Sequence, residues 1–257
     1  MGTVGKAIFL LDLFTAREPE LGLSELSRRS GFDKATTRRL LVSLSQNGFV
    51  EQDVESRRYR LGAGISRLAR IREAHFPFLQ ISTPAARELS LQTGETVHLS
   101  EFSAGALATV HVEQSTRANR VNVDIGQILP LHGTASGIAF LAFSRPELVK
   151  SYVDHPLPAF TSHTITGRAE VMAAVRAAAA RGYSQSSQGY EEGVFSVAAP
   201  ILGPDGYAIG TLSVASPLSR IDDGLAARHG EAVMDACRQI SLSLNGEPVG
   251  TRLNLAS

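Results

Sequence analysis

Leu23-Ser24-Glu25-Leu26-Ser27-Arg28-Arg29-Ser30-Gly31-Phe32-Asp33-Lys34-Ala35-Thr36-Thr37-Arg38-Arg39-Leu40-Leu41-Val42-Ser43-Leu44 decides how this chain is read. Ser24 is a residue type that caps helix N-termini, Glu25 follows in the first turn, and Leu26 points inward. Gly31 stops this short helix. Asp33 then caps another, in which Thr37, Leu40, Leu41 and Leu44 form an apolar stripe and Asn47-Gly48 closes the end. The opposite side carries Thr36, Arg39 and Ser43 at spacings of three and four. Lys34 and Ala35 occupy its exposed first turn, and Arg38 and Gln46 flank the row. A short helix, a glycine turn, then a helix with a small polar and basic outer face is the helix-turn-helix pattern. Such a helix fits the major groove, where Arg and Gln pair with base edges while other Lys and Arg hold phosphates.

Downstream, 49–52 and 57–61 read as two strands around Asp53-Val54-Glu55-Ser56. They form a hairpin wing whose return strand carries Arg57, Arg58 and Arg60, able to lie along the backbone or in the minor groove. Upstream, Val4, Ile8, Leu11 and Phe14 recur at helical spacing, and Pro19 and Gly22 end that helix. Beyond the wing, Ile65, Leu68, Ala69 and Ile71 alternate with Arg67, Arg70 and Arg72. This predicts a linker helix over 63–80 whose apolar face covers either a partner subunit or the neighbouring domain.

The chain has 257 residues, 43% of them hydrophobic and 19% charged, enough apolar material for two domains with cores. Formal charge is zero but uneven: residues 1–76 hold thirteen Lys/Arg against nine Asp/Glu, the remainder twelve against sixteen. Charge alone favours two solvated faces; the wing's three arginines beside the helix-turn-helix turn the reading toward a polyanion. One cysteine, Cys237, excludes an intrachain disulfide and thiolate metal modules. The absence of an apolar run long enough to span a bilayer, and of a secretory leader, predicts a cytoplasmic protein with no membrane partner.

In the rest of the chain Thr83-Pro84 reads as a helix start and Gly94 as its end. Strand-like runs follow at 97–102, 107–112 and 120–125. A helix begins near Thr134 and another runs from Thr166 to Gly182. The runs 194–202 and 207–215 are joined through Asp205-Gly206, a hairpin signal, and a last helix spans 222–245. The expected class is α+β: a helix-turn-helix domain over 1–62, the linker helix, and an antiparallel sheet flanked by helices over 81–247.

Catalytic signals are thin. No Gly-x-Ser-x-Gly elbow, HExxH spacing or phosphate-cradling glycine loop occurs. His132 beside Thr134 and Ser136 is the one candidate base, in an alternative reading where the second domain turns over a small acid or ester. Ser136, Ser186, Ser187, Ser196 and Ser213 instead place small hydroxyls beside apolar segments. With the backbone N–H groups at the start of the Thr134 helix they could line a pocket for a small oxyanion.

Three stretches resemble the IclR family of bacterial transcriptional regulators over nearly the whole chain. They are Leu23 to Leu41 with Tyr59-Arg60-Leu61-Gly62; Leu129-Pro130-Leu131-His132-Gly133-Thr134-Ala135-Ser136-Gly137; and Gly182-Tyr183 with Tyr190-Glu191-Glu192-Gly193-Val194-Phe195-Ser196-Val197-Ala198-Ala199-Pro200-Ile201, Gly206 and Leu212-Ser213-Val214-Ala215. The resemblance implies a winged helix-turn-helix, a linker helix and a GAF-like effector domain. It implies no enzymatic activity, cofactor or metal, and a homodimer or tetramer that binds operator duplexes, with repression the expected sign. Paired recognition helices would lie about 34 Å apart, one duplex turn. The DNA-contact candidates are Ser24, Lys34, Thr36, Thr37, Arg38, Arg39, Ser43, Arg57, Arg58 and Tyr59. The effector candidates, for a small carboxylate, are Leu131, Gly133, Thr134, Ala135, Ser186, Ser196 and Ser213. Ser186 stands where many relatives have an acid and Ser196 where some have a cysteine, changes that disfavour a metal and leave the pocket more hospitable to an anion.

Overall fold

The computed structural model describes residues 1–246, and the expected domain end at residue 247 falls just outside them. The chain divides into two compact units, with the cut between Pro77 and Phe78.

The first unit runs α1 (Thr3–Leu11), β1 (Glu20–Leu21), α2 (Leu23–Ser30), α3 (Lys34–Gln46), β2 (Val50–Gln52), β3 (Tyr59–Leu61) and α4 (Ala63–His75). Its core gathers Leu10, Phe14, Leu21, Leu26, Leu40, Leu41, Val50 and Tyr59. Each such side chain contributes roughly 1.5–3 kcal/mol through burial. The α1 stripe is offset from its expected position. Leu10 is fully buried, whereas Val4 and Ile8 are 74% and 53% exposed. The apolar row is therefore Ala7, Leu10, Leu11 and, just past the helix end, Phe14. β1 is a strand the sequence did not signal; it pairs with β3, making a three-stranded sheet ordered β1-β3-β2. Ser24 is not the cap of α2. Gly22 holds that position, its N–H donating to Glu25 Oε2 at 2.7 Å. Asp33 does cap α3, accepting from Thr36 N–H at 2.8 Å.

α4 is bolted to the end of α3 by glycines. Gly64 N–H donates to Gly48 O at 2.8 Å and Gly62 N–H to Phe49 O at 2.8 Å. A Cβ on Gly62 or Gly64 would stand 2.3 or 2.7 Å from Gly48 O, so only glycine permits this approach. No α4 residue is buried, and Leu68 and Ile71 are 43% and 51% exposed.

The second unit runs α5 (Phe78–Thr93), β4 (Thr96–Ser103), β5 (Ala106–Glu113), β6 (Ile128–Leu129), α6 (Ala135–Ala142), α7 (Pro146–Val153), α8 (Arg168–Arg181), β7 (Ser184–Ser187), β8 (Val194–Leu202), β9 (Ala208–Pro217) and α9 (Asp223–Leu244). The strands form one antiparallel sheet ordered β6-β5-β4-β9-β8-β7. α5 begins six residues before Pro84, which lies inside it. Phe78 and Ser82 are fully buried, and that anchoring outweighs the local start signal at Thr83-Pro84. The linker helix ends at His75, short of the expected residue 80. The run 120–125 is not a strand. It crosses the sheet end as an irregular strap, tied by Thr96 Oγ1–H to Val121 O at 2.7 Å and by Gln114 Nε2 to Val123 O at 3.2 Å.

α6 crosses close over the loop that precedes it. A Cβ on Gly137 would lie 2.3 Å from Leu131 Cα. Gly137→Ala is expected to destabilise this unit by about 1–3 kcal/mol through overpacking. The melting temperature should fall by several degrees in a thermal scan; an unchanged midpoint would mean α6 can retreat at no cost.

Candidate functional site

On α3, Lys34, Ala35, Arg38, Arg39, Val42, Ser43 and Gln46 are exposed, opposite the buried Thr37, Leu40 and Leu41. At about 100° per residue, Ala35, Val42 and Gln46 form the centre of the outward strip, with Arg38 to one side and Arg39 to the other. The expected base-facing row of Thr36, Arg39 and Ser43 is thus one margin of the strip. Arg39 and Ser43 line a groove with Val4 and Ile8 of α1. Arg38 shares a trough with Ser24 at the start of α2 and with Gln52, Ser56, Arg57 and Arg58 of the wing.

Burial takes Thr37 out of the contact set and leaves Tyr59 only an edge in the trough beside Arg58. Thr37 is fully buried and its hydroxyl donates to Asp33 O at 2.9 Å. Tyr59 is buried in the core of the unit. Its strand alternation places the phenol inward and Arg58 and Arg60 outward. Arg58 is already engaged, donating to Glu20 O at 2.8 Å and Glu25 Oε2 at 2.9 Å. Arg60 pairs with Glu51 at 3.2 Å. Arg57 stands exposed at the wing tip in the left-handed region, φ 58°. Asp53 organises that tip, accepting from the N–H groups of Ser56 and Glu55; these bonds hold its carboxyl below the usual range.

In the second unit a pocket of about 60 Å³, partly open to solvent, lies between the first turn of α6, the sheet and the loops 121–127 and 186–191. Gly133, Thr134, Ala135, Ser136, Ser186, Ser196 and Ser213 line it. Thr134 caps α6, its Oγ1 accepting from Gly137 N–H at 2.9 Å, and the first helical bond is Ile138 N–H to Thr134 O. The N–H groups of Ala135 and Ser136 therefore precede the helix's own ladder and are presented to an anion. Ser213 is less available than expected, since its hydroxyl donates to Val197 O at 2.9 Å. Leu131 does not line the pocket; it is buried in the core against α6.

Sequence reasoning missed His98, Gln127 and Tyr190 in this wall. Gln127 Nε2 donates to Tyr190 OH at 3.2 Å, linking the two rims. Phe160 stacks edge-on against Tyr190 at 5.2 Å. Only the strand period could have flagged His98, which shares its face with Thr96 and Ser100. The strap is pinned beside the pocket by Glu95, whose side chain is 1% exposed. Arg220 Nη1 donates to both Glu95 oxygens at 2.6 Å, Arg117 Nη1 to Oε1 at 2.7 Å, and Arg220 Nη2 to Asn119 O at 2.6 Å.

His132 cannot serve as a base toward the pocket. Its Nε2 donates to Pro158 O at 2.9 Å and its Nδ1 accepts from Tyr152 OH at 2.7 Å, with the ring 2% exposed. Nε2 thus holds the loop that carries Phe160, and Nδ1 is taken by Tyr152 of α7. Among the described residues no group of three or more His, Cys, Asp or Glu could hold a metal, and no helix is long and apolar enough to cross a membrane.

Residues 3–54 match the family model of the IclR helix-turn-helix domain, and residues 74–242 match that of the bacterial transcriptional regulator IclR C-terminal domain. The chain belongs to the IclR family. A putative IclR transcriptional regulator from Silicibacter sp. TM1040 superposes with a TM-score of 0.87 at 41% identity, covering 96% of this chain and 98% of that one. The transcriptional repressor IclR of Escherichia coli K12 is 27% identical over 244 residues, 94% of this chain and 89% of the repressor. An IclR homologue from Microbacterium hydrocarbonoxydans, solved with 4-hydroxybenzoate, shares the fold with a TM-score of 0.82 at 20% identity, covering 96% of this chain and all of that one. An IclR-family chain is a DNA-binding transcriptional regulator rather than an enzyme, which fits the occupied His132.

Proposed function

We propose that this chain is a cytoplasmic repressor that binds operator DNA as a homodimer and is controlled by a small organic acid in the α6 pocket. The exposed strip of Ala35, Val42 and Gln46, bounded by Arg38 and Arg39, carries the DNA half of this reading. Lys34 and Arg57 extend it toward phosphates, Ser24 lies beside it, and Val42 suits a thymine methyl. The pocket half rests on the N–H groups of Ala135 and Ser136, with Ser186 and Ser196 as hydroxyl partners. The named function of the Escherichia coli relative supports repression, and the 4-hydroxybenzoate complex of the Microbacterium homologue supports an organic acid as effector. The acid acts by binding one arrangement of the dimer better than the other, and shifts operator affinity by no more than that difference.

A salt titration of operator binding tests the DNA half. If Lys34, Arg38, Arg39 and Arg57 of both protomers neutralise phosphates, log K falls with log salt at a slope of roughly −7. A slope flatter than about −2 would mean that the basic face does not lie on the duplex.

A further inference from the structure

His98 sits on β4 beside Ser213 of β9 and Val112 of β5. Its Nε2 lies 3.3 Å from Ser136 Oγ, and Ser136 is the second residue of α6. One residue thus links the imidazole to the N–H groups that receive an anion. The ring lines the pocket at 6% exposure, and its Nδ1 has no partner among the described residues. Burial holds the imidazole down to about 4, so the empty pocket contains a neutral histidine at pH 7.

Among the described residues the pocket wall holds no Lys or Arg; its ionisable groups there are His98, Tyr190 and Glu191. The elements packed on β4 add none at this point. β5 and β9 present Val112 and Ser213, and α6 presents Ser136. His111 and Glu113, the neighbours of Val112, bond to each other at 2.9 Å. Glu95 is held by Arg117 and Arg220, and the α5 residues Arg87 and Glu88 are exposed. A carboxylate entering here would lose its hydration with no fixed cation to meet it. A helix N-terminus alone offsets only a small part of the cost of burying an ion.

We propose that His98 selects acids by taking up a proton as a carboxylate settles on the first turn of α6, so that the effector and a proton bind together. This rests on the pocket reading above and adds the group that balances the ligand's charge. An anion a few ångströms from the ring favours imidazolium, reversing the effect of burial. The sign follows. Above the titration point of the bound complex, affinity is flat with pH. Below it, affinity strengthens by up to tenfold per unit as pH falls, until the free ring also titrates near 4.

The test uses the full chain with 4-hydroxybenzoate, benzoate, acetate and pyruvate, all ionised above about pH 6. An acid that raises the melting temperature is taken into calorimetry in two buffers of different ionisation enthalpy. The expected result is net uptake of a fraction of a proton, with affinity several-fold tighter at about pH 5.5 than at about pH 7.5. His98→Gln should bind the same acid more weakly and without uptake. Zero uptake in the wild type overturns the proposal, as does uptake that persists in His98→Gln, where the proton would ride on the ligand. If none of the four acids raises the melting temperature, the pocket reading itself fails and this inference with it. Should His98→Gln not fold, the imidazole nitrogen shifts of wild-type His98 decide: protonation on adding acid supports the proposal, and a ring neutral throughout overturns it.

Discussion

The Arg38→Ala, Arg39→Ala double variant is expected to lose at least roughly a hundredfold in operator affinity while melting at the wild-type temperature. Each arginine that reaches a base edge or phosphate is worth about 1–3 kcal/mol, and the change enters once per protomer. Stability is spared because both side chains are exposed and neither makes a hydrogen bond or ion pair among the described residues. Fluorescence anisotropy with a labelled duplex at fixed salt reads the loss. Splitting the pair adds information. Arg38 shares a trough with the wing, so Arg38→Ala should also shallow the salt dependence, whereas Arg39 borders the α1 groove. Retention of affinity within threefold in the double variant would show that another face of the unit meets DNA.

Arg220→Ala should destabilise the second unit by about 3–5 kcal/mol, the cost of removing one partner from a buried ion pair. Glu95 is the reason. Its carboxylate is almost wholly buried and takes two bonds from Arg220, leaving Arg117 as its remaining cation. Arg220 also carries Asn119 O, so the same substitution loosens the strap that walls the pocket. Urea unfolding reads the loss, and weaker protection by any bound acid should accompany it. A change below 1 kcal/mol would mean that water reaches Glu95 once the guanidinium is gone. Lysine at 220 should recover only part of the stability, since a single ammonium cannot bond both oxygens and Asn119 at once.

The helix-turn-helix was legible because its signals are local. Asp33, the apolar stripe of α3 and the closing Asn47-Gly48 are all set within a few residues. What failed was partly a local signal passed over and partly non-local. Thr37 has the chemistry of a base contact, yet its place on the stripe sends it into the core. Tyr59 and Arg58 are adjacent in an arginine-bearing strand, and only the pleat separates an anchor from a surface cation. Pro84 mimics a helix start that Phe78 and Ser82 override from six and two residues upstream. In the pocket, Gly133, Thr134 and Ala135 were readable from a helix-start pattern, as Ser196 was from a hydroxyl in an apolar strand. His98 was not readable as a wall residue. Its neighbours Ser136 and Ser213 lie 38 and 115 positions along the chain, brought beside it by the β4–β9 pairing and the crossing of α6.

The glycine seam between Gly48 and α4 also bears on how the reading head is steered. With no side chain at Gly62 or Gly64 and two short bonds across the join, there is no slack between the connector's first turn and the tail of α3. The first turn of α4 and the tail of α3 are therefore joined backbone to backbone. A bulkier residue at either position would force that joint apart.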